Sequence, residues 1–203
     1  MNWSIGKHAL ITGASSGIGQ ELVIALGDVC KRITMASRSL DRDINDRRGM
    51  ARMVEDAYRH GQVDLFIHCA GGSRVYAPFE EMTVEDIAEI FDTNARAPLF
   101  LLRELLPRMK TNTFTGEKRA HVVLLSSRSA ERSLPNLSVY SAAKAAIEKL
   151  AEALRLEYAQ YRIVFTVVNP GSVNTNFTAG WTKAARDAHN AESMTVAEAI
   201  KPI

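Results

Sequence analysis

An α/β fold with a doubly wound parallel sheet is predicted by three observations in this 203-residue sequence. Short apolar runs alternate with helical patterns along the chain. The runs are nearly continuous in apolar character, which suits strands covered on both faces. The glycine-bearing and polar stretches fall where those runs end, and open α/β sheets bind ligands beyond the carboxyl ends of their strands. Right-handed connections would carry the helices to both faces.

The elements follow in order. HALIT (His8–Thr12) is a strand and residues 18–26 open a helix. Arg32–Ala36 is the second strand. Residues 52–59 are helical, and VDLFIHC at 63–69 is the third strand. Residues 84–109 read as one long helix. HVVLLS at 121–126 is a strand, 139–158 a helix, and IVFTVVN at 163–169 a strand. No repeat or low-complexity linker interrupts this order. Residues 1–203 are read as one domain, a length that allows one sizeable core.

Composition narrows the function classes. The chain is 46% apolar and 24% charged, with a net charge of +2. That is globular, with no basic field that would favour nucleic acid. Cys30 and Cys69 show no metal-ligand spacing and are read as reduced core residues, so no metal site is expected. Residues 1–7 lack the charged start and apolar stretch of a signal peptide. No run approaches the ~20 apolar residues of a membrane span. The expectation is a cytoplasmic protein whose partner is a small molecule, with no nucleic acid or membrane.

The glycine turn carries the first chemistry. Thr12-Gly-Ala-Ser-Ser-Gly-Ile-Gly19 directly follows a strand and opens a helix. Gly13, Gly17 and Gly19 permit a tight turn with backbone close to a pyrophosphate, and the helix amides that follow, through Ser15, Ser16 and Ile18, favour an anion. The second strand ends in Ser37 and Arg38, where an NAD-binding chain usually sets an acidic residue. A guanidinium suits a 2′-phosphate, so NADP(H) is preferred over NAD(H). The competing reading of Arg38 is an ordinary surface arginine.

Tyr140 and Lys144 stand four residues apart in a strongly helical stretch, about 40° apart around the axis. A phenol titrates near ~10 and is a poor base at neutral pH. A nearby ammonium and a positive nicotinamide ring would lower that value and make Tyr140 a general acid/base. Ser127, at the end of the strand read over 121–126, is placed to hold the substrate oxygen beside the phenol. A tyrosine–lysine pair alone is common on helix surfaces; the upstream serine and the glycine turn give this one its meaning. Asn94 lies on an apolar helix face with Ile87, Ile90 and Phe91. Pro98 has no N–H to offer its carbonyl, so Asn94 is either a holder of water that passes protons toward Lys144 or a satisfied core asparagine at a proline kink.

Together these residues resemble the short-chain dehydrogenase/reductase family, from about Lys7 to about Phe177, with a weaker echo at residues 195–200. TGASSGIG matches the family's cofactor turn, and the fold implied is Rossmann-type. Ser127, Tyr140 and Lys144 match its catalytic serine and YxxxK, and Asn94 within DTNARAP its catalytic asparagine. The stretch from Asn169 through Pro170, Gly171, Val173 and Thr175 matches PGxVxT, which implies that Val173 and Thr175 contact the nicotinamide carboxamide. Ala70 and Gly71 keep the backbone approach near the adenosine ribose. The resemblance implies an NADP(H) oxidoreductase acting on a carbonyl or alcohol. Tyr140 would give the proton, Lys144 would tune it and bind the ribose, and Asn94 would anchor a water. It also implies a homodimer or homotetramer that packs the helices of Asn94 and Tyr140 across an interface.

The chain departs from the family in four places. The family's NNAG is His68-Cys-Ala-Gly71 here, with His68 read as a structural substitute. The segment between Arg38 and Asp64 is short by a helix and most of a strand, and Asp43-Ile-Asn-Asp46 resembles only the end of that strand. The family's last strand does not follow Ile203, and the stretch 178–194, which would form the substrate-covering helices, is short too, which suggests missing segments or a fragment. Arg128 replaces a small apolar residue after Ser127; with Arg132 it either favours an acidic substrate or is a solvated or interface residue. The alternative function is a catalytically silent dinucleotide-binding sensor or scaffold, which has no physical need for all four catalytic residues. A sugar-nucleotide epimerase or dehydratase fits less well, since those chains are longer and carry GxxGxxG.

Overall fold

The computed structural model describes residues 6–40, 42–114, 120–201 and 203. The signal-peptide reading rests on residues 1–7, of which 1–5 lie outside the described residues. The elements are β1 (His8–Thr12), α1 (Gly17–Gly27), β2 (Arg32–Ala36), α2 (Arg47–Arg59), β3 (Leu65–His68), α3 (Val84–Phe91), α4 (Ala97–Phe114), β4 (Ala120–Leu125), α5 (Arg128–Glu131), α6 (Ser138–Glu157), β5 (Ile163–Val168), α7 (Lys183–Ala191) and α8 (Val196–Ile200).

The strands form one parallel sheet in the order β2-β1-β3-β4-β5. Alternate residues of each strand point to opposite faces, and both faces are covered. On one face Leu10, Phe66 and Val122 pack under Met53 of α2, Leu105 of α4 and Ile147 of α6. On the other, Ala9, Ile11, Leu65 and Ile67 pack under Leu22 and Leu26 of α1 and Ile200 of α8. This is the doubly wound α/β architecture that the near-continuous apolar runs predict.

The register decides where chemistry can gather. Thr12 pairs with Ala36 on one side and His68 on the other, His68 pairs with Leu124, and Leu125 pairs with Val168. The carboxyl ends of the strands are therefore level. The residues that follow them, Gly13, Ser37, Cys69, Ser126 and Asn169, leave the sheet along a single rim.

Four expectations need adjusting. The long helix over 84–109 is interrupted by a π turn at Asp92–Arg96, in which the Ala97 N–H bonds back to the Asp92 carbonyl. Pro98 lacks the N–H an α-turn would need, and one wider turn absorbs the defect. The helix α2 begins earlier than residue 52, because the Asp46 side chain accepts from the Arg48 and Gly49 amides and caps it. Asp43-Ile-Asn-Asp46 forms no strand end but the turn before α2, with Ile44 buried in the core. The single-turn helix α5 escapes the apolar period, while α7, with none of its residues buried, falls in the stretch 178–194 where covering helices are expected.

Among the described residues no strand lies beyond β2 or β5. On the β2 edge, the Arg42 guanidinium donates to the Met35 carbonyl at 2.8 Å and pairs with Asp56 of α2. An unpaired carbonyl of an edge strand is thereby occupied. No helix among the described residues is long and apolar enough to cross a membrane.

Candidate active site

One cleft of about 920 Å³ runs along the rim of strand ends. Gly13, Ser15, Ser16, Gly17, Ile18, Gly19, Ser37, Arg38, Ala70, Gly71, Ser127, Tyr140, Lys144, Pro170, Gly171, Val173 and Thr175 all line it. Every expected site residue except Asn94 thus meets in a single space. Asn94 stands behind the wall, 1% exposed.

The glycine end fits a dinucleotide. Gly13 takes φ +68°, and a Cβ there would stand 2.7 Å from the Ala70 nitrogen; one on Gly19 would stand 2.3 Å from the Gly13 carbonyl oxygen. Side chains at these positions would push the turn off β1. Ser16 precedes α1 in extended conformation and makes no side-chain cap bond, so its hydroxyl leaves the first helical amides uncapped. Uncapped amides at a helix start suit a phosphate. The Ser37 hydroxyl is bonded to that of Ser39 at 2.8 Å, while Arg38 stands exposed beside it. No salt bridge engages Arg38 among the described residues.

Tyr140 is 7% exposed and Lys144 4%. Both sit on the first two turns of α6, facing β4. The Lys144 ammonium donates to the Leu125 carbonyl at 2.8 Å. A Cβ on Gly71 would meet Asn94 Oδ1 at 2.7 Å and Lys144 Nζ at 3.1 Å, so only a glycine lets these groups come together. Asn94 clamps the neighbouring backbone: its Nδ2 donates to the Gly72 carbonyl at 2.7 Å and the Ile90 carbonyl at 2.8 Å, and its Oδ1 accepts from the Gly72 N–H at 2.9 Å. The asparagine is therefore satisfied, in the widened turn that Pro98 requires. Ser127 caps α5, its oxygen accepting from the Ser129 N–H at 3.1 Å.

Burial sets the electrostatics. It pushes the Tyr140 phenol up to about 12, against a hydrogen bond with Ser127 that pulls it down. The lowering expected from Lys144 is not seen; removal of the ring from water sets the direction. Burial likewise brings Lys144 down to about 8. His68 comes down to about 3, from burial first and the Lys144 charge second. The Cys69 thiol is pushed up to about 12 by burial, and neither Cys30 nor Cys69 is part of a disulfide among the described residues. No group of metal ligands occurs among the described residues.

The covering stretch was placed at 178–194, but the ring contacts that close it over the cleft left little trace in the sequence. Trp181 donates from Nε1 to the Ser73 carbonyl at 2.9 Å and stacks on Tyr76 with ring centres 4.5 Å apart. Phe177 stands edge-on to Tyr140 at 5.2 Å and to Trp181 at 5.3 Å. These rings join the loop after β3 to the segment after β5. Partners so distant along the chain share no local period, and only the presence of aromatics in an otherwise polar stretch hinted at burial. Arg128, Arg132 and Arg74 also line the cleft.

The short chain dehydrogenase family model matches residues 26–186. The chain is 31% identical over 194 residues to an uncharacterized oxidoreductase of Staphylococcus haemolyticus, covering 85% of this chain and 80% of that protein. It is 30% identical over 192 residues to the glycine betaine reductase ATRR of Emericella nidulans, covering 84% of this chain but 15% of that protein's length. Its fold matches the crystal structure of 3-ketoacyl-(acyl-carrier-protein) reductase from Brucella melitensis complexed with NADH. The TM-score is 0.82 at 24% identity, over 95% of this chain and 86% of that one. The chain belongs to the short-chain dehydrogenase/reductase family of oxidoreductases.

Proposed function

We propose that this protein reduces a carbonyl group at the expense of NADPH, or runs the reverse oxidation of an alcohol, with Tyr140 as the acid/base. The observation that carries the reading is the meeting of Ser127, Tyr140 and Lys144 in the same cleft as the glycine turn. When bound, the nicotinamide supplies or accepts the hydride. The protein's own residues do the rest.

Ser127 and Tyr140, which both line the cleft, would hold the substrate oxygen between two hydroxyls. A phenol held near 12 is fully protonated at neutral pH, so it is ready as an acid for reduction. Lys144, held near 8, carries its charge at neutral pH. That charge favours the phenolate left after proton transfer. Asn94 fixes the Gly71–Gly72 backbone against Lys144 and so keeps the ammonium in place. Val173 and Thr175, which also line the cleft, would contact the carboxamide of the nicotinamide, and Arg38 a 2′-phosphate on the adenosine ribose.

The test is oxidation of NADPH and of NADH against a panel of ketones and aldehydes, with Tyr140→Phe beside the native protein. Loss of a general acid costs about 10²–10⁴-fold in rate, while cofactor binding should persist. Full rate in Tyr140→Phe would remove the proposed mechanism. A protein that binds NADPH but reduces nothing in the panel would favour the silent-sensor reading.

A further inference from the structure

Five arginines line the cleft: Arg38, Arg42, Arg74, Arg128 and Arg132. Arg42 is paired with Asp56. Among the described residues the other four have no carboxylate within salt-bridge reach and no side-chain hydrogen bond. Elsewhere on the surface Arg52, Arg59, Arg96, Arg103 and Arg108 are all paired with acids. Arg32, Arg47, Arg48, Arg155, Arg162 and Arg186 also make no ion pair among the described residues but lie outside the cleft; what sets the cleft apart is that four such guanidiniums line one space. Arg38 belongs to the adenosine end. The remaining three stand at the end that holds Tyr140.

Arg128 directly follows Ser127, and its backbone N–H donates to the Pro170 carbonyl at 3.1 Å. A Cβ on Gly171 would lie 3.8 Å from its guanidinium carbon, so the charge sits over the Pro170–Gly171 turn, inside the cleft. Arg132 follows the single turn of α5 in extended conformation and also lines the cleft. Glu131 on that same turn, the natural partner for Arg128, instead accepts from the Asn169 side chain at 2.9 Å. Arg74 reaches the cleft from the loop after β3. The acids that line this end are Asp86 and Glu89 of α3, and Asp86 is held in the Thr83 capping box. Three cations therefore face the reacting end against two carboxylates, one of them already engaged.

We propose that Arg128 and Arg132, with Arg74 opposite, bind an anionic group carried by the carbonyl substrate, a carboxylate or a phosphate. This rests on the reductase reading and names its substrate class. Planar guanidiniums take such oxygens in paired, charge-assisted hydrogen bonds. An anion held there would fix the carbonyl end of a short substrate against Ser127 and Tyr140.

The experiment compares matched probes: levulinate against methyl levulinate, and dihydroxyacetone phosphate against dihydroxyacetone. The native protein should favour the anionic member of at least one pair by about tenfold or more in kcat/KM, the scale of a charge-assisted hydrogen bond. Whichever pair shows the preference tells carboxylate from phosphate. In Arg128→Met and Arg132→Met that ratio should collapse toward unity through KM for the anion, with Arg128→Lys recovering part of it. Equal use of both members by the native protein would overturn the proposal. So would a rise confined to the cofactor KM in the variants, which would place the arginines on the dinucleotide. Turnover of none of the four probes sends the question to calorimetric binding of levulinate and dihydroxyacetone phosphate. Binding lost in Arg128→Met would keep the anion site and retire the reductase reading; no binding by the native protein would retire the anion site.

Discussion

The Lys144 ammonium lies 5.7 Å from the centre of the Tyr140 ring, held there by its bond to the Leu125 carbonyl at the end of β4. The helix spacing puts the two side chains on one face, and the sheet supplies the third point. Burial brings Lys144 to about 8 and lifts Tyr140 to about 12, so the group that changes charge near physiological pH is the lysine.

A pH profile follows from that order. Below about 8 the ammonium is present to favour the phenolate; above it the charge is lost. Carbonyl reduction should hold steady through neutral pH and fall once pH passes about 8. Lys144→Arg keeps its charge throughout, since arginine titrates above ~12. The rate it retains should show no such fall, and an unchanged break would assign it to another group. Stability runs the other way. The folded value lies below the ordinary 10.5, so the contribution of Lys144 is complete above 10.5 and is lost as pH falls through about 8.

Cofactor preference is predicted to rest on Arg38. It stands exposed at the end of β2 with no acid paired to it. Arg38→Asp should weaken NADPH about tenfold or more, the scale of a hydrogen bond to a charged group, and improve the relative use of NADH. Steady-state KM values for both cofactors read this directly. Unchanged NADPH affinity in the variant would remove Arg38 from the 2′-phosphate.

The cover should behave as a unit hinged on one bond. Trp181→Phe removes the donor to the Ser73 carbonyl while keeping most of the stack on Tyr76. The expected loss is about 1 kcal/mol, or about 2–4 °C in Tm for a chain of this size. Substrate KM should rise more than cofactor KM, because Phe177 and Trp181 stand over the Tyr140 end. Equal changes in both would mean that the rings support the whole cleft rather than its substrate end.

What the sequence made legible were the parts written in local pattern. The apolar runs gave all five strands within two residues at either end, and the glycine turn, Ser127, Tyr140 and Lys144 arrived together because the strand ends are level. Asn94 was found through its apolar helix face, but its bonds to the Gly72 backbone were invisible, since they join the π turn to the loop after β3. The π turn was half-visible: Pro98 announced a defect without saying how the helix would absorb it. The pairing of Trp181 with Tyr76 and the isolation of the cleft arginines depend on tertiary neighbours, and no spacing encodes them.

His68 allows a last prediction, on the residue that replaces the family's asparagine. Its Nδ1 lies 2.9 Å from Thr12 Oγ1, and that oxygen already accepts from the Ala70 N–H. The hydroxyl oxygen keeps a second lone pair, so it donates to Nδ1 in one ring tautomer and accepts from it in the other. Nε2 is buried and without a hydrogen-bond partner. A second proton would place a cation in the core near Lys144, and the ring is accordingly held near 3 rather than the ordinary 6.5. The unfolded chain therefore binds this proton first, so the stability His68 supports is complete above 6.5 and is lost as pH falls toward 3. Asparagine carries no such proton. Melting curves of the native protein should shift downward as pH falls from neutral toward about 4, the range in which an unfolded histidine gains its charge. In His68→Asn that downward shift should be smaller by several degrees, at about 2–4 °C for each kcal/mol. Parallel curves for the two proteins would show that acid acts on this fold through its carboxylates and not through His68.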